Sequence, residues 1–303
     1  MPETTPQLPA ALDTDHDIVG SIVLYNTPRD EVDRAISQFF AIADADRLKL
    51  HLYIIDNSAR ASDNPLFADT RITYHFSRRN LGYGRAHNIA LHASKGRSRY
   101  NLIMNTDISY SPDVVLTLKA YLDSNAHAGL AAPKILHPDG TLQPVCRLLP
   151  LPLNIFLRRF FPHSNLTAKL DRDYELHWWN HGTIANIPFL SGSFLLARTE
   201  ILGNLGGFDD RFFLYAEDVD LCRRIHQIAA TAYVPVATIT HAHRRLNRSS
   251  FRCTWHGLVS HIQYFNKWGW FFDANRRETN SRTIERLRAA AEDSLTPQLH
   301  TQA

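Results

Sequence analysis

Short apolar segments that alternate with helical segments are the feature that most constrains the fold of this chain. The β-branched, apolar runs Ile18–Tyr25, Leu50–Ile55 and Ile72–Phe76 each lead into polar residues and predict buried strands. Apolar residues recur at helical spacing over Asp30–Ile42, and a second helix is predicted to end near Ala93. This alternation predicts an α/β fold with a mostly parallel, twisted sheet that is flanked by helices.

Polar side chains stand where the predicted strands end. Asp56 follows the second strand, Asn80 follows the third, and Asp107 closely follows a fourth strand at Tyr100–Met104. Ligands of doubly wound sheets bind beyond the carboxyl ends of the strands, so these three side chains are expected on one rim. Asp107 is a candidate ligand for a hard divalent cation, because magnesium that carries a nucleotide takes only one or two ligands from protein. The alternative is an ordinary turn residue.

The pair Gly82-x-Gly84 tests for a dinucleotide fingerprint. It follows the third strand and not the first, and His87 occupies the third glycine position, so we reject that interpretation. The chain has no GxxxxGK[ST] motif either. A glycine-rich turn at the start of a helix still lets the backbone approach a phosphate or a sugar closely.

Residues 208–224 combine an aromatic and apolar run with three carboxylates, Glu217, Asp218 and Asp220. One interpretation is a helix whose first-turn acids are stabilised by the helix dipole. The other is catalytic, because apolar surroundings keep water from a general base while the dipole keeps it ionised. The rest of the chain favours the catalytic interpretation. Helical spacing follows the acids at Leu221, Ile225 and Ile228.

Charge and cysteine content exclude several classes of function. The 33 basic and 30 acidic residues give a net charge of +3 over 303 residues, so general nucleic-acid binding is not indicated. Arginines cluster at positions 244–252. Such a cluster indicates binding to phosphate groups or to an anionic membrane surface, and the alternative is a solvated basic face. The three widely spaced cysteines cannot form a metal knuckle and favour free thiols in a reducing compartment: Cys146, Cys222 and Cys253.

The two ends of the chain are predicted to differ from its middle. Residues 1–17 have no apolar segment, so they predict a disordered tail and no signal peptide. The chain contains no run of about 18 uncharged apolar residues, so no membrane span is predicted. We therefore expect a cytoplasmic protein. Residues 251–275 are an aromatic and basic helical segment that suits a membrane interface, a partner or burial against the main domain. A peripheral contact with the inner face of the cell membrane thus stays open, and residues 276–303 predict a mobile polar tail.

The second half of the chain has a looser pattern. Residues 130–190 are rich in proline and predict a long insertion, in which Trp178-Trp179 suits stacking on a sugar ring as well as core packing. Phe189–Leu196 predicts a strand that a small-residue kink interrupts, and Tyr233–Ile239 predicts another. His241 stands at the end of that last strand, where a histidine is either a metal ligand or ordinary polar surface.

Three segments together resemble the inverting family 2 glycosyltransferases with the GT-A fold, and most of all the bacterial rhamnosyltransferase-like members. They are Phe189-Leu190-Ser191-Gly192-Ser193, Gly206-Gly207-Phe208-Asp209 and the run from Phe212 to Cys222. The resemblance extends from about residue 18 to residue 272. It implies a catalytic domain over 18–250, with a nucleotide-sugar half at 18–110 and an acceptor half at 111–250.

The resemblance also implies roles for the residues that match the family's motifs. Asp218 matches the catalytic base, and Asp107 matches the last acid of the metal-binding Asp-x-Asp. His241 matches a downstream histidine that helps to hold either the metal, Mg²⁺ or Mn²⁺, or the diphosphate. Two positions depart from the family: Asn105 replaces the first acid of that motif, and Ser193 replaces a smaller residue near the acceptor. The residues that match the donor-binding positions are Tyr25, Asn26, Asp56, Asn80, Gly82, Gly84 and Asn105.

The implied reaction moves a sugar from a nucleotide-diphosphate donor to a saccharide or lipid-diphosphate-linked saccharide during cell-surface polysaccharide synthesis, with no nucleic-acid partner. The resemblance favours rhamnose from dTDP-rhamnose, with UDP-linked galactofuranose, galactose or glucose as alternatives. A sugar-phosphate nucleotidyltransferase would need a basic, glycine-rich loop after the first strand, which residues 25–28 lack. A non-catalytic sugar-binding scaffold on the same fold stays open, chiefly because of Asn105.

Overall fold

The computed structural model describes residues 16–242 and 251–295. Its first half repeats strand–helix units, with β1 between β2 and β4 and all three strands parallel. The parallel pairing of β2 and β3 completes this half of the sheet. The predicted alternation of strands and helices is therefore confirmed. In chain order these elements are β1 (His16–Leu24), α1 (Arg29–Asp46), β2 (Leu50–Asp56), β3 (Ile72–Phe76), α2 (Tyr83–Ser94) and β4 (Ser98–Met104).

Close packing of α1 on the sheet explains why these segments form a stable layer. Every residue of β2 is buried, as expected for a parallel strand that is covered on both faces. Gly20 of β1 leaves room for Phe39 of α1, because a Cβ atom at Gly20 would lie 2.5 Å from the Phe39 ring. Apolar burial of this kind is the main force that holds helices on a sheet.

The second half adds further strands to the same sheet. The strand order is β3-β2-β1-β4-β10-β6-β11-β5, and β8 pairs with β11. Strand β10 is antiparallel to both of its neighbours, while β6 and β11 are parallel. In chain order the remaining elements are β5 (Ile108–Ser109), α3 (Pro112–Ser124), β6 (Ala128–Leu136), β7 (Cys146–Arg147), α4 (Pro152–Phe160), α5 (Asn165–Tyr174), β8 (Ala185–Asn186), β9 (Phe189–Leu190), β10 (Phe194–Arg198), α6 (Thr199–Leu205), α7 (Glu217–His226), β11 (Ala230–His241), α8 (Phe251–Trp268) and α9 (Ala274–Leu295).

The segment that was predicted as one kinked strand at Phe189–Leu196 is two separate strands. Strand β9 pairs with β7 in a small two-stranded sheet, whereas β10 pairs with β4 in the main sheet. The small residues between them, Ser191 to Ser193, carry the chain from one sheet to the other. The predicted insertion also begins later than residue 130, because β6 lies inside the main sheet.

The predicted mobile tail at 276–303 needs correction, because residues 274–295 form the long helix α9. Thr283 and Leu287 of this helix are buried. Asn280 donates to the carbonyl of Leu149 at 2.9 Å and accepts its N–H at 2.8 Å. Residues 296–303 and most of the predicted N-terminal tail lie outside the described residues, while positions 16 and 17 begin β1.

The aromatic segment 251–275 packs on the main domain by one face and exposes the other. Tyr264 and Phe265 of α8 are buried, whereas Trp255 is exposed. Phe271 and Phe272, which follow the helix, are 76% and 95% exposed. Among the described residues, no helix is long and apolar enough to cross a membrane. Arg244, Arg245 and Arg248 of the arginine cluster lie outside the described residues, and of Arg252 the structure describes only the backbone.

The tryptophan pair contributes to the core. Trp179 is buried and packs against Tyr233 with their ring centroids 5.5 Å apart. Trp178 lies beneath the guanidinium of Arg288, at 5.4 Å from its ring centroid. Core packing therefore accounts for both rings better than stacking on a sugar. The three cysteines are free thiols, as predicted.

Candidate active site

A strained turn directs the acidic residues of α7 into the protein. Tyr215 and Ala216 both have left-handed backbones, with φ values of 67° and 66°. Each such residue costs roughly 1–3 kcal/mol, and strain of this kind is typical of functional sites. The partly buried carboxylate of Asp218 then accepts the N–H of Gly192 at 3.2 Å and that of Val219 at 2.9 Å. Gly192 has no room for a side chain, because a Cβ atom there would lie 2.9 Å from Cβ of Asp218.

Two adjacent carboxyl groups, Glu217 and Asp218, have different environments. Burial and the neighbouring charge of Asp218 raise the pKa of Glu217 well above its usual range. Burial also raises the pKa of Asp218, but the N–H of Gly192 and the guanidinium of Arg147 oppose that rise. Glu217 is therefore the carboxyl group of the pair that holds a proton more readily, and Asp218 is the one that ionises more readily, since environments that separate two pKa values assign acid and base roles.

Tyr83 connects the α7 acids to the end of β4. Its hydroxyl lies 2.8 Å from the carbonyl oxygen of Gly192 and 3.0 Å from Oδ1 of Asn105. Burial raises the pKa of Tyr83, and so do the nearby charges of Glu217, Asp218 and Asp107. Charges from the start of α7 and from the turn after β4 are therefore both near enough to act on the Tyr83 hydroxyl. The hydrogen bonds of that hydroxyl link the Gly192 turn, which holds Asp218, to Asn105, two residues before Asp107.

Asp107 and His241 lie together because strands β5 and β11 pair beside them. Nε2 of His241 is 3.0 Å from Oδ1 of Asp107, and Nδ1 is 3.1 Å from Oε1 of Gln143. The amide nitrogen of Gln143 donates to the carbonyl of His241, so its oxygen faces the ring and assigns the proton to Nδ1. Nε2 then faces a carboxylate oxygen, an arrangement that either a proton on Nε2 or a shared metal cation satisfies.

This pair fits the divalent cation that the resemblance implies. A carboxylate oxygen and an imidazole nitrogen, the latter oriented by a second hydrogen bond, are ordinary metal ligands. Across residues 16–242 and 251–295 no group of three or more His, Cys, Asp or Glu side chains could hold a metal. Two protein ligands are nevertheless enough for a magnesium ion whose other ligands are water and phosphate.

The loop at Asn80, Gly82 and Gly84 is held against the segment that precedes α7. Oδ1 of Asn80 accepts the N–H of Gly82 at 2.9 Å. Gly82 has a φ of 85°, and a Cβ atom there would lie 2.2 Å from the carbonyl oxygen of Phe213. At Gly84 a Cβ atom would lie 2.9 Å from that of Phe208. Both glycines are therefore needed to pack this loop, whatever they contribute to a ligand.

Asp56, Tyr25 and Asn26 lie at the adjoining ends of β1 and β2. The Asp56 carboxylate is fully buried and accepts hydrogen bonds from Ser58 N–H, Ser62 N–H and the Tyr74 hydroxyl at 2.8–3.0 Å. It organises its own loop, so contact with a pyrimidine requires residues 58–62 to move. Tyr25 and Asn26 are exposed beside it, and the N–H of Asn26 donates to Ser58 Oγ at 2.8 Å.

A groove of about 560 Å³ leads away from Asp218 between α4 and α8, and we call it the α4–α8 groove. Arg147 lines it close to Asp218, while aromatic and aliphatic side chains line most of the remainder. From the sequence, Glu217 was named only as one of three carboxylates, and neither Arg147 nor Tyr83 was singled out. Tyr83 and Glu217 stand inside the quoted motifs, whereas no local pattern marks Arg147.

The chain matches several known proteins. The family described as Glycosyl transferase family 2 matches residues 21–176. The chain is 31% identical over 177 residues to the N-acetylglucosaminyl-diphospho-decaprenol L-rhamnosyltransferase of Mycobacterium tuberculosis, a match that covers 54% of this chain and 56% of that protein. It is 28% identical over 224 residues to the rhamnosyltransferase WbbL of Escherichia coli, which covers 68% of this chain and 75% of that protein.

One solved structure similar to this chain is that of GalNAc-T7 with UDP, GalNAc and Mn²⁺. The TM-score is 0.54 at 12% sequence identity, and the match covers 96% of this chain and 58% of that one. At this identity the likeness concerns the fold alone. The chain spans about half the length of the mycobacterial relative that it matches.

Proposed function

The chain belongs to glycosyl transferase family 2 and has the GT-A fold, and from this premise we propose that it is an inverting glycosyltransferase. It would move a sugar from a nucleotide-diphosphate donor to a saccharide or lipid-linked saccharide. The observation that supports the proposal is the hydrogen-bonded connection from Asp218 through Gly192 to Tyr83 and on to Asn105, which lies two residues before Asp107. A transfer of this kind needs a proton acceptor and an anion site in the same pocket.

In the proposed reaction Asp218 is the general base. The hydroxyl oxygen of the acceptor attacks the anomeric carbon of the donor, and the bond from that carbon to the diphosphate oxygen breaks. The hydroxyl proton passes to the Asp218 carboxylate, and the nucleoside diphosphate leaves with the bonding electrons. A single displacement inverts the anomeric centre, so one base suffices and no covalent intermediate forms, as in inverting hydrolases.

The surroundings of Asp218 suit this role. The N–H of Gly192 fixes Oδ2 and so positions the carboxylate. A protonated Glu217 next to it avoids a second negative charge. Burial raises the pKa of Asp218, which brings a carboxylate closer to the pH at which it works best as a base.

On the donor side, Asp107 and His241 would hold Mg²⁺ or Mn²⁺ beside the diphosphate. When bound, a divalent cation offsets the negative charge that builds on the departing diphosphate. Asn105 would act through its hydrogen bond with Tyr83, which ties the end of β4 to the Gly192 turn. Tyr25, Asn26, Asp56 and the loop of Asn80, Gly82 and Gly84 would complete the nucleotide site.

The names of the relatives support a finer statement about the substrates. Both are rhamnosyltransferases, and the mycobacterial protein is named for an N-acetylglucosaminyl-diphospho-lipid. We therefore propose dTDP-rhamnose as the donor and a lipid-diphosphate-linked saccharide as the acceptor. A cytoplasmic location with a peripheral membrane contact fits that acceptor, and the exposed Phe271 and Phe272 support it.

The test is a donor screen followed by a transfer assay. Thermal shifts are measured with dTDP-rhamnose and with UDP-linked galactofuranose, galactose and glucose, each with and without Mn²⁺. The donor that stabilises the protein is then incubated with a prenyl-diphosphate-linked N-acetylglucosamine, and the product is identified by mass. We expect a metal-dependent shift with dTDP-rhamnose and the addition of one rhamnose of inverted configuration. A protein that binds one of these donors but transfers no sugar would be a non-catalytic scaffold, and that result would overturn the proposal.

A further inference from the structure

The α4–α8 groove has one charged end and a long apolar remainder. Its charged end lies at Asp218 and Arg147, and Ala216 and Val219 of the α7 turn form part of its floor. A site of this volume falls in the range of about 300–1,000 Å³ that is typical of small-molecule pockets. The apolar walls come from both helices and include Ile155, Phe156, Phe160, Leu258, Ile262 and Phe265.

Three arginines line the groove, and they differ in how far their guanidinium groups are already engaged by other protein groups. Arg158 forms ion pairs with Asp171 at 3.1 Å and Glu175 at 2.8 Å, so its charge is already offset. Arg147 meets Glu175 only through Nε, at 3.2 Å, and its two Nη atoms make no hydrogen bond within the described part of the chain. Arg159 is exposed and donates to Thr254 at 2.7 Å, which joins the two walls.

The position of Arg147 follows from the small sheet. Strand β7 pairs with β9, which places Arg147 opposite Phe189. Phe189 comes three residues before Gly192 in the chain, so Arg147 lies near the Gly192 turn. Its guanidinium lies 5.5 Å from the centroid of the Phe189 ring. Glu175 fixes the Nε side of this arginine, so the two Nη atoms remain for an anion close to Asp218.

An amphiphile with an anionic head matches this arrangement better than a free saccharide does. A guanidinium binds phosphate oxygens through paired N–H donors. Hydrocarbon that lies against the groove walls would be removed from water, which favours binding of an apolar chain. Exposed aromatic residues, among them Phe160 and Trp270, also line the groove, so a chain longer than the groove would continue over an apolar surface.

We propose that the α4–α8 groove binds the isoprenoid diphosphate part of a lipid-linked acceptor, with the diphosphate at Arg147 and Arg159. The first isoprene units lie between α4 and α8, and the sugar on the diphosphate presents its hydroxyl to Asp218. This inference rests on the proposed function, because it assigns the acceptor to the site of the same reaction. It adds a binding site for the lipid and names the residues that hold it.

Binding of farnesyl diphosphate, a water-soluble isoprenoid diphosphate, tests the groove without any sugar transfer. Titration calorimetry on the full chain compares it with inorganic diphosphate and with farnesol. We expect farnesyl diphosphate to bind at least tenfold more tightly than either fragment, since head and chain contribute together. Inorganic diphosphate that binds as tightly as farnesyl diphosphate would overturn the inference, because the walls would then contribute nothing.

Matched variants locate the binding site. Arg147→Gln and Arg159→Gln should each lower the affinity for farnesyl diphosphate about tenfold or more, because each removes a charged hydrogen-bond donor to the diphosphate. Arg172→Gln on α5 is the charge control and should change nothing. Because Arg159 is exposed, its replacement should not impair folding, so Arg159→Gln still tests the diphosphate site if loss of the Arg147–Glu175 ion pair unfolds the other variant.

The wall has an equally close control. Phe156 lines the groove and is 50% exposed, whereas Leu153 on the same helix is 51% exposed and lies outside the groove. Phe156→Ser should lower the affinity for farnesyl diphosphate severalfold, while Leu153→Ser should leave that affinity unchanged. Equal affinities for the two variants would contradict the inference. Nucleotide-sugar turnover by the same preparations separates the two proposals: turnover without farnesyl diphosphate binding overturns only the groove, and binding without turnover overturns only the transferase.

Discussion

The donor side and the acceptor side of the candidate active site are built in different ways. On the donor side, the polar groups after β2 and β3 are held by neighbours in sequence, as Asp56 is by Ser58 and Asn80 by Gly82, although Asp107 pairs with the distant His241. On the acceptor side, α7 is fixed by residues far along the chain. Arg223 of α7 is buried and pairs with Asp273 at 2.7 Å, fifty residues later.

The same holds for Asp220, two residues after the proposed base. It is fully buried and accepts from Trp268 Nε1 at 2.7 Å, and Lys267 lies 2.6 Å from the same oxygen. The nucleotide site at the ends of β1, β2 and β3 therefore depends on local turns, whereas the acceptor side depends on the C-terminal helices. Changes at the far end of the chain should therefore disturb Asp218 before they disturb the nucleotide site.

The largest effect is expected from Asp273→Ala. Removing one partner of a buried ion pair leaves the other charge uncompensated, which costs about 3–5 kcal/mol of the free energy of unfolding. Urea denaturation followed by fluorescence would measure this loss. The control is Glu278→Ala, which removes an exposed pair with Arg282 and should cost no more than about 1 kcal/mol. Similar losses for the two variants would mean that the acceptor side does not depend on the buried pair.

Gly192→Ala should separate the two sides functionally. A new Cβ atom would lie 2.9 Å from Cβ of Asp218 and would displace the carboxylate. A displacement of about 1 Å can cost roughly 100-fold in rate, so we expect kcat to fall by that order while the donor Kd stays unchanged. Gly182→Ala is the control, since a Cβ atom there would meet nothing closer than 3.4 Å. An unchanged kcat would show that Gly192 does not position Asp218.

Glu217→Gln should have a smaller effect that depends on pH. The pKa of Glu217 is raised in the folded protein, so ionisation in the unfolded chain destabilises the fold above about pH 4.5 and has no effect below it. The variant cannot ionise, so its Tm should exceed that of the parent at pH 8 by a few degrees and equal it near pH 4. Scanning calorimetry at both pH values, with Glu278→Gln as an exposed control, would check this. A Tm gain that does not change with pH would contradict the assignment of the proton to Glu217.

The sequence predicted the donor side well because its information is local. Strand β3 has the predicted limits, and β1 and β2 differ from prediction by no more than two residues at either end. Each strand is a short apolar run with polar residues after it, so neighbouring residues alone determine where it ends. The same reasoning located Asp107 and Asp56 at strand ends.

The acceptor side was harder to predict because its partners are distant. Tyr83 stands in a quoted motif, but its hydroxyl bonds to residues 22 and 109 positions away. Helix α9 was predicted as a mobile tail because most of its residues are polar. Its buried face is narrow, and the spacing of Asn280, Thr283 and Leu287 at i, i+3 and i+7 is the signal that could have revealed it.

The most direct test of the central claim is the turnover of Asp218→Asn with saturating donor and acceptor, together with the donor Kd. Asparagine keeps the shape of the side chain and its hydrogen bonding to Gly192 but cannot take the acceptor proton. The loss of a general base predicts a kcat about 10²–10⁴-fold lower, with an unchanged donor Kd. A variant that transfers sugar at the parental rate would contradict the account.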